Sequence, residues 1–273
     1  MKLLSIVVLY YPNSEVENNI LSYSKDCNLV VLWDNTPNGS QSIPHVPNAI
    51  IVDNNHKNMG LAYAYNQAIK IAKEHNCTHI MTMDQDSRFE NFSGYRDWVN
   101  RTQHPGISSV AINQKEKFSE ESTIINDSAQ SGSIFPIKMI DEIGPFREDF
   151  FIGMVDAEMC LRAQEHNYLT LQYNKANLVH HIGSERKVKI LGHTTCVSDY
   201  IPLRHYYDSR NRILMWHEFP NDMNAAGKRK HLIGRLKVIT KILLFEDNKT
   251  EKIKAILQGT WNGIFNRTIP YHK

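Results

Sequence analysis

Thr78-His79-Ile80-Met81-Thr82-Met83-Asp84-Gln85-Asp86-Ser87 is the stretch that decides how this chain folds. A short, mostly apolar run stops at two carboxylates one residue apart, the pattern of a buried strand that ends in an acidic turn. Upstream, Ser5–Tyr10 reads as a first buried strand, and Ser14 with Glu17 as a capping box opening a helix to about Lys25. Leu29–Trp33 is a second strand that stops at Asp34, and Ala49–Val52 a third. Leu61, Tyr65, Ala68, Ile69 and Ala72 recur at helical spacing and predict a helix from about Gly60 to His75. Downstream, Ile107–Ile112 reads as a strand followed by a polar loop to about Asp127. A helix over Val155–His166 and an extended segment over Leu169–Tyr173 come next, and the pattern is mostly helical from about Asp199. Strands alternating with helices imply a parallel sheet covered by helices. The simplest organisation is an α/β domain over residues 1–200 and a helical extension over 201–273.

The rest of the 273-residue sequence narrows the class. Hydrophobic residues at 41% and charged residues at 22% predict a sizeable core and exclude a disordered chain. A net charge of +2 gives no global field to recruit nucleic acid. Cys27, Cys77, Cys160 and Cys196 are widely spaced, without metal-ligand or C-x-x-C spacing, and read as reduced thiols of a cytoplasmic protein. The apolar run before Tyr11-Pro12-Asn13 is too short for a signal peptide and lacks a small-residue cleavage site. No segment approaches the ~20 apolar residues of a membrane span.

Asp34 and the Asp84/Asp86 pair each follow a predicted strand, and the carboxyl ends of strands in such sheets border the ligand crevice. Asp84-x-Asp86 suits one Mg²⁺ or Mn²⁺, hard ions that prefer oxygen ligands. The same pair is also an ordinary turn or helix cap, as is Asp34 before Asn35-Thr36-Pro37. Asp156 and Glu158 begin a helix, where the macrodipole favours acids. The sharper reading makes Asp156 a general base. Arg162 lies four residues after Glu158, so an ion pair would hold Glu158 and leave Asp156 the freer carboxylate. His180, in His180-His181-Ile182-Gly183, reads either as a metal ligand or as an ordinary core or surface histidine.

Taken together, the segments are more specific than any one of them. Val7-Val8-Leu9-Tyr10, Asp34-Asn35-Thr36-Pro37, Asn58-Met59-Gly60-Leu61-Ala62 with Asn66, Asp84-Gln85-Asp86-Ser87 and Ser131-Gly132-Ser133 come in that order. They are followed by Ile143-Gly144-Pro145-Phe146-Arg147-Glu148-Asp149-Phe150-Phe151-Ile152 and Val155-Asp156-Ala157-Glu158-Met159-Cys160-Leu161-Arg162. His180-x-x-Gly183 and Arg204-His205-Tyr206-Tyr207-Asp208-Ser209-Arg210-Asn211 complete the set. From about Leu4 to Asn211 the chain resembles family-2 glycosyltransferases of the GT-A fold, and within them bacterial rhamnosyltransferases that use dTDP-L-rhamnose. One departure is Gly153, where the resemblance leads one to expect Asp.

The resemblance implies an α/β fold with a Rossmann-like mixed sheet, helices on both faces and a helical C-terminal extension. It implies donor contacts from Asp34, Asn58, Gly60, Asp84, Asp86 and Arg210, and a divalent cation, Mg²⁺ or Mn²⁺, held by Asp86 and His180. Asp156 matches the residue that deprotonates the acceptor, with Glu158 and Arg162 in support. One base and no enzymic nucleophile fits an inverting single displacement, giving an α-L-rhamnoside from a β-linked donor. The implied acceptor is a hydroxyl of a growing cell-surface polysaccharide or lipid-linked oligosaccharide. A UDP-sugar donor fits the same acidic motifs. A sugar-1-phosphate nucleotidylyltransferase would need a Gly-rich loop after the first strand, which Tyr10-Tyr11-Pro12-Asn13-Ser14 does not supply. A non-catalytic glycan-binding protein would have no need of the full set of carboxylates.

The C-terminal part carries a separate signal. Leu232, Leu236, Ile239 and Leu243 fall on one helical face, with Lys230, Lys237 and Lys241 roughly opposite and no acid from Ala225 to Phe245. Such a helix over 228–245 either packs its leucines on the domain or lies on the inner face of an anionic plasma membrane.

Overall fold

The computed structural model describes residues 1–114, 118–180, 186–190, 193–222 and 225–271. They form two compact units: Met1–Phe151 with Val155–His181, and Ile152–Met154 with Ile182–Lys273. The division falls at 181/182, earlier than the sequence suggests, and the short loop 152–154 belongs to the second unit. The motif residues His181 and Gly183 lie outside the described residues.

In the first unit β1 (Leu3–Leu9) is buried along its whole length, as its apolar sequence demands. It lies parallel between β2 (Leu29–Asp34) and β4 (His79–Asp84), and β3 (Ala49–Asp53) extends the parallel part beyond β2. The remaining strands are β5 (Ser87–Glu90), β6 (Ile107–Ile112), β7 (Ser122–Ile125), β8 (Ser133–Pro136) and β9 (Thr170–His180). The sheet order is β3-β2-β1-β4-β8-β6-β9-β5, with β7 paired to β9. β8 runs antiparallel to β4, and β5 and β7 antiparallel to β9, so the sheet is mixed. The simple reading of alternating elements as a parallel sheet is thereby corrected. β5, β7 and β8 have four residues each, too few to show a period, and β7 interrupts the expected polar loop.

Helices cover both faces. α2 (Leu61–Glu74) packs on β1 and β4, while α1 (Val16–Leu21) and α3 (Phe92–Thr102) close the other side. There Leu3, Val7 and Leu9 meet an aromatic cluster of Tyr23, Phe89, Phe92, Tyr95, Trp98 and Tyr173. α4 (Ile137–Ile143) and α5 (Val155–Glu165) complete the unit. The capping box does not form: α1 begins after Glu15 without a side-chain cap, and Glu17 instead accepts a hydrogen bond from the His45 amide at 2.8 Å.

The second unit holds a hairpin of β10 (Arg186–Ile190) and β11 (His193–Val197), then α6 (Pro202–Glu218), α7 (Ala225–Phe245) and α8 (Lys249–Ile264). α6 and α8 cross closely because Gly259 and Gly263 leave room: a Cβ on Gly259 would stand 2.3 Å from the Tyr206 carbonyl. No helix among the described residues is long and apolar enough to cross a membrane.

Candidate active site

The sheet register brings the acidic motifs to one end of the parallel strands. Asp34 closes β2 opposite Leu9, and Asp84 closes β4 opposite Val8, so the two carboxylates flank the exit of β1. Gln85 fastens the turn between them: its side chain accepts from the Tyr10 amide at 2.9 Å and donates to the Tyr10 carbonyl at 3.0 Å. Asp86 follows in the turn, and Ser87 opens β5 directly opposite His180, the last residue of β9.

Three strand ends thus converge. Ligand atoms of Asp84, Asp86 and His180 all lie within 4.8 Å of one another, a group that suits one divalent cation. Asp86 Oδ1 is buried without a hydrogen bond, 3.3 Å from His180 Nδ1. A buried carboxylate oxygen with no donor is costly unless a cation satisfies it. On that observation the residues fit a metal ion, with Asp84 beside the two residues expected from sequence to hold it.

A line of hydroxyls stands behind this group. Ser87 Oγ and His180 Nδ1 are 2.7 Å apart, Ser131 Oγ donates to Ser87 Oγ at 2.8 Å, and Ser131 Oγ accepts from the Asp84 amide at 3.1 Å. Hydrogen bonding at Nδ1 fixes the orientation of an imidazole and determines which ring nitrogen is left for a ligand. Gln130 Nε2 donates to Asp84 Oδ1 at 2.9 Å. Tyr65, read from sequence only as a core position of α2, is fully buried, and its hydroxyl lies in the field of the Asp84 and Asp156 carboxylates without a hydrogen-bond partner among the described residues. Burial, reinforced by those two charges, pushes its pKa well above 10 and keeps the phenol protonated.

Asp156 and Glu158 both lie in the first turn of α5. Glu158 is fully buried and takes a fork of two 2.8 Å bonds from Arg162, which also donates to the Ile143 and Pro145 carbonyls. Asp156 is less enclosed, and its Oδ1 accepts from the Ala157 amide at 2.9 Å. Two carboxylates two residues apart therefore sit in different surroundings.

Around Asp34 the chain folds back on itself. Its carboxylate accepts from the Thr36 amide at 2.9 Å, the Ser40 amide at 2.7 Å and the Ser40 hydroxyl at 2.8 Å. Burial works against the charge, but the bonds from Thr36 and Ser40 outweigh it and hold the pKa below the ordinary Asp value. Asn35 ties this loop to the next: it donates to the Gly60 carbonyl at 3.1 Å and accepts from the Met59 amide at 3.3 Å. Asn58 in turn accepts from the Gly60 amide at 2.9 Å. Gly60 has φ +85°, and a Cβ there would stand 2.6 Å from the Phe151 carbonyl, so only glycine fits.

Within the second unit, Asn211 donates to the carbonyls of Ile152 at 3.1 Å and Gly153 at 2.9 Å, fixing the loop that leads into α5. Gly153 has φ +75° and Met154 φ +66°. Glycine takes that conformation without strain, which accounts for the departure from Asp. Arg210 is fully buried, bonded to Asn211 and the Ile269 carbonyl and packed against the rings of Tyr206 and Tyr207.

Solved structures with the same layout give the fold. The chain superposes on GalNAc-T7 with UDP, GalNAc and Mn²⁺ with a TM-score of 0.57 at 10% identity, over 81% of this chain and 49% of that one, about half its length. It superposes on Staphylococcus aureus TarS 1-349 in complex with UDP-GlcNAc with a TM-score of 0.54 at 14% identity, over 95% of this chain and 82% of that one. The fold is the GT-A fold found in glycosyltransferases. No protein-family model matches the chain. In sequence it is rhamnosyltransferase-like: it is 26% identical, over 95% of its length, to 94% of the dTDP-rhamnosyl transferase RfbF of Shigella flexneri.

Proposed function

We propose that this protein transfers L-rhamnose from dTDP-L-rhamnose, with inversion, to a hydroxyl of a growing cell-surface polysaccharide or lipid-linked oligosaccharide. The observation that carries the reading is the convergence of Asp84, Asp86 and His180 at three strand ends. The likeness to the Shigella flexneri rhamnosyl transferase supports the donor. Mg²⁺ or Mn²⁺ held by Asp84, Asp86 and His180 would supply positive charge where the leaving diphosphate develops its own.

The chain's own residues divide the remaining work. Asp156 takes the proton of the acceptor hydroxyl, because Glu158 is committed to Arg162. Gln130 holds Asp84 in the cluster. Asp34 acts on the nucleoside through the loop it organises, with Asn58 and Gly60 shaping the neighbouring wall. Arg210, enclosed within its own unit, braces α6. Four free cysteines, three of them buried, support a cytoplasmic enzyme.

Calorimetric titration with dTDP-L-rhamnose and UDP-sugars, with and without Mn²⁺, tests the donor. The expected result is metal-dependent binding at least about tenfold tighter for the dTDP conjugate, a 1.4 kcal/mol preference. Tighter binding of a UDP-sugar would move the donor to that class, as the ligands of the two solved neighbours would suggest. Donor binding unchanged by chelation would overturn the metal role.

A further inference from the structure

α7 is turned the wrong way round for a helix of a water-soluble domain. Its leucine stripe faces out: Leu232, Leu236 and Leu243 are 57%, 64% and 50% exposed, and Leu244 beside them is 57% exposed. Polar residues face inward instead. His231 packs edge-on against Trp216 at 5.2 Å, and Arg235 pairs with Asp208. Among the described side chains of the helix, Ile242 is the one fully buried apolar group. Arg229, Lys230 and Lys237 are exposed too, so the outward arc is wide enough to hold both the leucines and the two lysines that the spacing sets roughly opposite them, and no acid interrupts the helix from Ala225 to Phe245.

The next helix repeats the arrangement with aromatic residues. α8 packs inward through Gly259 and Gly263 and carries Leu257, Trp261, Ile264 and Phe265 on its exposed side. The rings of Trp261 and Phe265 lie 4.4 Å apart, so the two form one apolar knob.

From this we infer that the second unit docks on an anionic lipid surface, with α7 lying in the headgroup layer and the Trp261–Phe265 knob as a second point of insertion. Exposed leucines and lysines on the same arc match a surface that is apolar just beneath a negative layer. Trp and Phe suit the boundary between them. A second copy of this chain fits less well, because a twofold contact through the stripe would set the cations of one α7 against those of the other. The inference rests on α7 and α8 alone and stands apart from the choice of donor.

Co-flotation of the full chain with phosphatidylcholine vesicles, with and without phosphatidylglycerol, tests it. Recovery is expected only with the anionic vesicles and is expected to fall with salt. The triple variant R229Q/K230Q/K237Q should lower the partition coefficient about 10²-fold, at ~1 kcal/mol per cation near such a surface. L232Q/L236Q/L243Q should abolish recovery while leaving the melting temperature unchanged, since these side chains are exposed. Equal recovery of wild type and both variants would overturn the inference. So would sedimentation showing a dimer that L232Q/L236Q/L243Q dissolves.

Discussion

The two units of this protein distribute polarity in opposite ways. In the first, apolar strands fill the interior, and carboxylates, hydroxyls and an imidazole gather where β2, β4 and β9 end. In the second, charge is buried and leucine is exposed: Lys252 is 3% exposed and bonded to Glu246 at 2.9 Å, with His205 near the same carboxylate, while Leu236 is 64% exposed. Sheet geometry explains the first arrangement, because strand ends are the one place a buried sheet presents polar groups together. The second has no such explanation from folding alone. A buried ion pair is weak support for stability, and an exposed leucine stripe is a liability unless something covers it.

Substitutions can sharpen that contrast. Asp156→Asn keeps the size of the side chain but cannot accept a proton, so turnover should fall about 10²–10⁴-fold with donor affinity nearly unchanged. A folded variant with near wild-type turnover would make Glu158 the next candidate base.

A pH series probes the buried charge of the second unit. Burial, aided by the nearby cations of Arg235 and Lys252, lowers His205 from 6.5 to about 4. The unfolded chain therefore takes up the proton first. His205's contribution is complete above about pH 6.5 and shrinks as pH falls toward 4, by about 3 kcal/mol in all. Denaturant unfolding of wild type against His205→Gln should show the flatter pH profile in the variant. Parallel profiles would remove His205 from the account. His79, in the first unit, is lowered in the same direction mainly by burial, so the difference between the two proteins is the quantity to read.

Gly259→Ala tests the close crossing of α6 and α8. Its methyl would meet the Tyr206 carbonyl, and overpacking of this kind costs about 1–3 kcal/mol, read as a lower denaturation midpoint. A smaller effect is expected at the hydroxyl line behind the cluster. Ser87→Ala removes the partner of His180 Nδ1 and should weaken Mn²⁺ binding about 10–100-fold, with the melting temperature little changed. Ser87→Thr, which keeps the hydroxyl, should restore most of it.

Much of the first unit was legible in the sequence. β1, β2, β4, α2 and α5 announce themselves by apolar runs or helical spacing, and the strand-end position of Asp34 and Asp84 followed from them. What the sequence could not show was pairing. Nothing in Ser87 or Ser131 says that β5 will lie against β9 and bring Ser87 opposite His180, and four-residue strands carry no readable period. Tyr65 looked like one more core position because helical spacing reports burial and not which polar atoms lie at the end of a long side chain. The failed capping box has a similar cause: Glu17 found a partner 28 residues away. In α7 the spacing was right, and the side facing solvent depended on Trp216 and Asp208, which local pattern cannot weigh.

The proposed reaction turns on one cation held jointly by Asp84, Asp86 and His180. Titration of the metal-free protein with Mn²⁺, followed by the loss of free-ion paramagnetic signal, is the direct test. One ion per chain is expected, bound more tightly when dTDP is present, with binding lost in Asp86→Ala and His180→Ala and retained in Asp156→Asn. Wild-type Mn²⁺ affinity in Asp86→Ala and His180→Ala would contradict it.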